Sequence, residues 1–102
     1  MSFVCLIEIH LHFPANHSLK GKRKEVTSLK AQLQQRFGAA VSETDHHDLW
    51  QRAQITAALV GRDAGVLSEA ATKLERYVES QHPECVRCER GMLSAEEVLG
   101  TF

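Results

Sequence analysis

The run Phe3-Val4-Cys5-Leu6-Ile7-Glu8-Ile9-His10-Leu11-His12-Phe13 carries an apolar side chain at every odd position, while the even positions turn polar at Glu8, His10 and His12. Side chains alternate across a strand with period two, so the run describes a strand with one face in a core and the other open. Beyond it, Pro14, Ala15 and Asn16 break the alternation, and Ser18 stands where a helix N-cap belongs. Val26, Leu29, Leu33 and Phe37 then recur at spacings of three and four, the stripe of an amphipathic helix. Gly38 occupies the position of a left-handed C-cap, and Ala39 to Thr44 reads as a short second strand.

Asp45, His46, His47 and Asp48 interrupt the apolar pattern as a turn does. Ala53, Ile55, Ala57 and Leu59 next alternate with Arg52, Gln54 and Thr56, which predicts a third strand. A second amphipathic helix follows Gly61 and Asp63, with Val66, Leu67, Ala70, Ala71, Leu74, Tyr77 and Val78 as its apolar stripe, and His82 and Pro83 end it. Glu84 to Leu93 is charged and reads as an edge strand, and Ser94 to Phe102 as a polar tail. The order strand, helix, strand, strand, helix, strand is the split βαβ arrangement of an α+β, ferredoxin-like βαββαβ sandwich. Right-handed crossovers then put both helices on one face of a four-stranded antiparallel sheet. The other face is left free, carrying Glu8, His10 and His12 beside Arg52, Gln54 and Thr56.

At 102 residues and 43% hydrophobic content, the chain closes one core and is too short for two, so residues 1–93 are expected to form a single domain with 94–102 as its tail. Lys plus Arg number 12 and Asp plus Glu 13, a near-zero balance that predicts neither nucleic acid nor an acidic partner. The distribution is uneven: residues 1–40 hold six cations against two anions, and the remainder six against eleven. The sequence has neither a signal-peptide pattern nor an apolar run long enough for a bilayer, so the expected location is the cytoplasm, without a membrane partner. Cys5, Cys85 and Cys88 are an odd number, with Cys5 inside the first apolar run, which speaks against a disulfide framework.

Chemistry-bearing residues concentrate in two segments. In the first, Lys20, Lys22, Arg23 and Lys24 crowd the opening turns of the first helix, where cations oppose the helix dipole at about 0.3–1 kcal/mol each. Stability does not account for them, whereas an anion does: with Ser18 and the first-turn N–H groups they are the expected contacts for a phosphate or RNA backbone. A solvated basic surface is the plainer account of the same charges. In the second segment, Trp50 and Arg52 follow the Asp-His-His-Asp turn. Trp50 serves either as a lid on the core or as a stacking plane, and Arg52 either pairs with Glu8 or clamps a base.

Metal readings are weaker. His10 and His12 share a strand face but lack a third ligand, His46 and His47 are adjacent and diverge if extended, and His82, Cys85 and Cys88 make only a three-ligand set. A thioredoxin-like reading of Cys85 and Cys88 fails because such motifs open a helix early in the chain. No catalytic signature is present, so no cofactor and no metal ligands are assigned; an acid–base pair of His12 and Asp45 stays open.

Together, Glu8-Ile9-His10-Leu11-His12-Phe13-Pro14, His17-Ser18-Leu19-Lys20-Gly21-Lys22-Arg23 and Asp45-His46-His47-Asp48-Leu49-Trp50-Gln51-Arg52-Ala53 resemble the YlxP-like family, domain-of-unknown-function family 503. The resemblance runs from about Phe3 to Tyr77. It implies a ferredoxin-like fold and no established activity. Members are often encoded beside translation initiation factor 2 and a ribosome-binding factor, which implies a role near the ribosome or its assembly. The acidic residue common between the two lysines is Gly21 here, which raises the local positive charge and weakens the helix start.

Three functional expectations follow. The first is a binding module that uses Ser18, Lys20, Lys22, Arg23, Lys24, Trp50 and Arg52 to contact ribosomal RNA or ribosomal precursor particles. The second is a structural or regulatory protein that forms a homodimer through the open sheet face. The third is a metal-binding protein or enzyme built on the histidines.

Overall fold

The structure, a computed structural model, describes residues 1–15 and 17–100. Asn16, read above as part of the break after the first strand, and the tail residues Thr101 and Phe102 lie outside the described residues. The elements are β1 (Phe3–His12), α1 (Leu19–Phe37), β2 (Ala40–Asp45), β3 (Arg52–Gly61), α2 (Ala64–Gln81), β4 (Cys85–Ser94) and α3 (Ala95–Leu99). The four strands form one antiparallel sheet in the order β2-β3-β1-β4, the ferredoxin-like arrangement that the periodicities predict.

The period-two reading of β1 holds residue by residue. Cys5, Ile7, Ile9 and Leu11 are buried beneath the helices, and Ala53, Ile55, Ala57 and Leu59 lie on the same face of β3 in register with them. Val26, Leu29 and Leu33 of α1 and Leu67, Ala71, Leu74 and Val78 of α2 complete the core. Each fully buried Leu or Ile contributes about 1.5–3 kcal/mol, so this single layer supplies most of the drive to fold. Helix α1 begins and ends where its caps predict: Ser18 Oγ accepts from Gly21 N at 3.0 Å, and Gly38 takes φ 64°, a left-handed value that costs glycine little; Asp63 Oδ1, accepting from Val66 N at 2.9 Å, caps α2.

Two features hold the helices in place, one between the helices and one to the sheet. Tyr77 donates its hydroxyl to Gln32 Oε1 at 2.9 Å, joining α2 to α1, while Arg36 stacks 4.7 Å from the Tyr77 ring centre. Arg90 of β4 pairs with Glu75 Oε2 at 3.2 Å and donates to Thr72 Oγ1 at 3.0 Å. Strand β4 is an edge strand, as expected, and carries an irregularity opposite His10 and Leu11. After it, Ser94 opens the short helix α3 with a capping box, its side chain accepting from Glu97 N at 3.2 Å, in a segment that by sequence alone is only a polar tail.

Candidate functional site

One end of the sandwich gathers the loop from β1 to α1, the first turns of α1 and the loop from β2 to β3. Backbone hydrogen bonds hold the two loops together: Phe13 N donates to Gln51 O at 2.7 Å, and the Gln51 amide donates to Pro14 O at 3.3 Å. The second loop turns at His46, whose φ of 63° is the one positive value among the described non-glycine residues, with Leu49 N closing the turn on His46 O at 3.1 Å. A histidine held in the left-handed region costs about 1–3 kcal/mol and persists only where its surroundings fix it.

Lys22 is what fixes it. Only 1% of this residue is exposed, and its Nζ donates to His46 O at 2.6 Å, His47 O at 3.2 Å and Arg52 O at 3.2 Å, with Glu43 Oε2 at 3.2 Å. Removing an ammonium from water costs several kcal/mol, and three charge-assisted hydrogen bonds at about 1.5–3 kcal/mol each plus one carboxylate offset that cost. The expectation that Lys22 contacts an external anion is therefore corrected: its charge is spent inside the molecule, on the loop and on Glu43. The signal was present in the sequence, since Lys22 lies four, seven and eleven residues before Val26, Leu29 and Leu33 and so continues the buried stripe.

Lys20, Arg23 and Lys24 behave differently. All three are exposed, and at about 100° per residue they fall within one arc of α1 opposite the buried stripe. Among the described residues none of them takes part in an ion pair, so their charges add. Ser18 caps the same turn. Trp50 is 53% exposed and is not a core lid. With Arg52, His12, Asp48, Leu49 and Gln51 it lines an open depression of about 480 Å³. The buried Lys22 links the two features: it reaches from the turn that carries Lys20, Arg23 and Lys24 to the loop that carries Trp50 and to Arg52 at the start of β3. The cations of α1 do not themselves line the depression. Arg52 does not pair with Glu8, whose Oε2 instead accepts from Gln54 Nε2 at 3.1 Å.

A second cluster lies on the open sheet face. Glu8 and Glu89 are directly opposite in register, and His10 Nε2 stands 3.1 Å from Glu89 Oε1. Donor atoms of Glu8, His10 and Glu89 lie within 4.8 Å of one another, close enough to share a cation. His12, the partner expected for His10, is not in this set. Glu89 is already engaged, because Arg87 Nε donates to its Oε1 at 2.9 Å and holds the carboxyl below its usual range. His82, grouped with the cysteines on spacing, turns to Gln32 Oε1 at 2.9 Å, which leaves Cys85 and Cys88 in contact with each other.

The profile of the family described as "Protein of unknown function (DUF503)" matches residues 4–90. The chain belongs to this family. All three stretches that carry the resemblance contribute to the end of the sandwich just described. No curated protein matches the chain. Among solved structures it is similar to 30S ribosomal protein S6 from Thermotoga maritima, with 13% identity over 91% of this chain and 89% of that one and a TM-score of 0.50. It is also similar to SnoaB, a cofactor-independent oxygenase from Streptomyces nogalater, with 11% identity over 92% of each chain and a TM-score of 0.47. The likeness to S6 shows the ferredoxin-like fold. No described helix is long and apolar enough to cross a membrane.

Proposed function

We propose that this protein is a cytoplasmic RNA-binding module whose ligand is ribosomal RNA, free or in a ribosomal precursor particle. The observation that carries the reading is the arc of Lys20, Arg23 and Lys24, three exposed cations without ion-pair partners among the described residues, tied through Lys22 to a loop that presents an exposed indole. The cations contact phosphate and set orientation, the Trp50 ring stacks on an unpaired base, and Arg52 borders the same depression. The open sheet face carries no Phe, Tyr or Trp on β1 or β3, so recognition rests on backbone and shape more than on base edges. Ribosomal protein S6 shares the fold, and that likeness supports the scaffold and not the partner.

Titration of the full chain with ribosomal RNA over a range of salt concentrations tests this. Three phosphate contacts on a single strand give a log–log salt slope of about −2, and charge reversal at Lys20 and Arg23 flattens it to about −0.7 or less in magnitude. Absent affinity, or affinity unchanged in the Lys20→Glu, Arg23→Glu double variant, overturns the proposal.

A second reading, self-association, has its own observation. Leu6, Val60 and Leu93 are 45%, 76% and 44% exposed, and the register sets Val4 between Val60 and Leu93 on the open face, making one end of that face apolar. A strict monomer by light scattering at tens of micromolar removes it.

A further inference from the structure

Cys85 and Cys88 are three apart on β4, and in a regular strand such residues point to opposite faces about 10 Å apart. Here they do not. Cys88 pairs with Ile9 and Cys85 with Leu11, so Val86 is an extra residue and the strand bulges between them. Ile9 and Leu11 both face the helices, and the bulge turns both cysteines to that face as well. Their Cα atoms stand opposite residues two apart, a separation of about 6.6 Å, which falls inside the range that disulfides span. The sulfurs touch at 3.8 Å. Both residues are half-buried, whereas Cys5 is sealed in the core. Bulges are built features that re-aim side chains, and this one converts an ineffective spacing into a contacting pair.

We propose that Cys85 and Cys88 form a dithiol site that reacts with low-molecular-weight disulfides and closes to an intramolecular bond. The Cys85 thiol releases its proton to water, and its sulfur attacks one sulfur of the small disulfide. A Cys85 mixed disulfide forms, and the first small thiolate leaves and takes up a proton. Cys88 then loses its proton and attacks Cys85 Sγ. The bond to the small thiol breaks, the Cys85–Cys88 bond forms, and a second small thiol departs. In sum, two protein thiols are oxidised to one disulfide, and one small disulfide is reduced to two thiols.

The order of events follows from the surroundings. The hydrogen bond from the Cys88 thiol lowers the Cys85 pKa, against burial and the charge of Glu79. The same bond, with burial, pushes Cys88 up, which keeps it a thiol until Cys85 has reacted. Burial raises Cys5 as well, so the third cysteine is a bystander.

The test equilibrates the reduced full chain with glutathione and glutathione disulfide at a series of ratios, with a chelator present, and reads intact mass after acid quenching. The wild-type chain is expected to lose two hydrogen atoms and retain no glutathione, with Cys85 and Cys88 joined and Cys5 free on peptide mapping. Cys88→Ser is expected to accumulate one glutathione on Cys85, because nothing remains to displace it. A wild-type chain that stays reduced at every ratio overturns the proposal, as does one that keeps the adduct as Cys88→Ser does, or one that links between molecules. The wild-type result stands even where a variant fails to fold.

Discussion

The ammonium of Lys22 and the carbonyl of His46 are 2.6 Å apart, and this contact joins the cationic first turns of α1 to the one left-handed non-glycine residue among the described residues. A left-handed histidine and a buried lysine are each unfavourable alone. Together they are consistent, since the turn aims His46 O inward and the lysine receives it along with His47 O and Arg52 O. The end of the sandwich that carries the exposed tryptophan is thus held by an internal charge.

Lys22→Met tests this relationship. The substitution keeps most of the volume and leaves three carbonyls without their donor and Glu43 without its counter-ion, so unfolding free energy is expected to fall by about 3–5 kcal/mol in urea titration. Adding Glu43→Gln to Lys22→Met removes the orphaned carboxylate and is expected to restore part of the loss. A single-variant effect below about 1 kcal/mol means that the lysine is not the clamp.

Lys20, Arg23 and Lys24 predict opposite signs for stability and for binding. They lie near the positive end of the α1 dipole, so Lys20→Glu is expected to raise stability by about 0.3–1 kcal/mol while weakening RNA binding. Thermal melting and the RNA titration, run on the same protein, check both signs. Loss of stability and of affinity together is the signature of misfolding and removes the argument for a phosphate contact at this turn.

Sequence periodicity made β1, β3 and both long helices legible because burial is a face property, and a face repeats every two or 3.6 residues. The same logic extends to Lys22: it shares the stripe of Val26, Leu29 and Leu33, while Glu43 alternates with Val41 on the helix-facing side of β2. A cation and an acid that both fall on core faces require each other. Helix α3 stands where the sequence reads as a polar tail; the capping-box spacing of Ser94 and Glu97 was the signal for it. The bulge at Val86 and the left-handed turn at His46 were not, because each depends on how two distant segments meet and no residue at either position demands it. The partnership of Glu8 with Glu89 is a matter of β1–β4 register, which a single charged edge strand does not specify.

Glu89 gives a pH prediction. Its hydrogen bond from Arg87, with the Arg87 charge, depresses the folded pKa, so the contribution to stability is present above the unfolded carboxylate value and is lost as pH falls through the depressed one. Stability curves from pH 6 to pH 2 are expected to show a shallower acid decline in Glu89→Gln than in the parent chain. Both side chains are on the surface, so high salt is expected to shrink the difference. Superimposable curves mean that the Arg87 contact does not persist in solution.

Trp50 is the chain's single tryptophan, so its fluorescence reports on the loop at the depression and on nothing else. Because half of the side chain is already in water, Trp50→Ala is expected to change stability by no more than about 0.5–1 kcal/mol. Stacking on a base is worth about 1–3 kcal/mol, so the same substitution is expected to weaken RNA binding by about 5- to 150-fold. Binding should quench and shift the native emission, with the fluorescence and affinity midpoints coinciding. Retained affinity in Trp50→Ala, with unchanged emission in the native chain at saturating RNA, places the nucleic acid away from this loop and leaves the α1 cations as its only support.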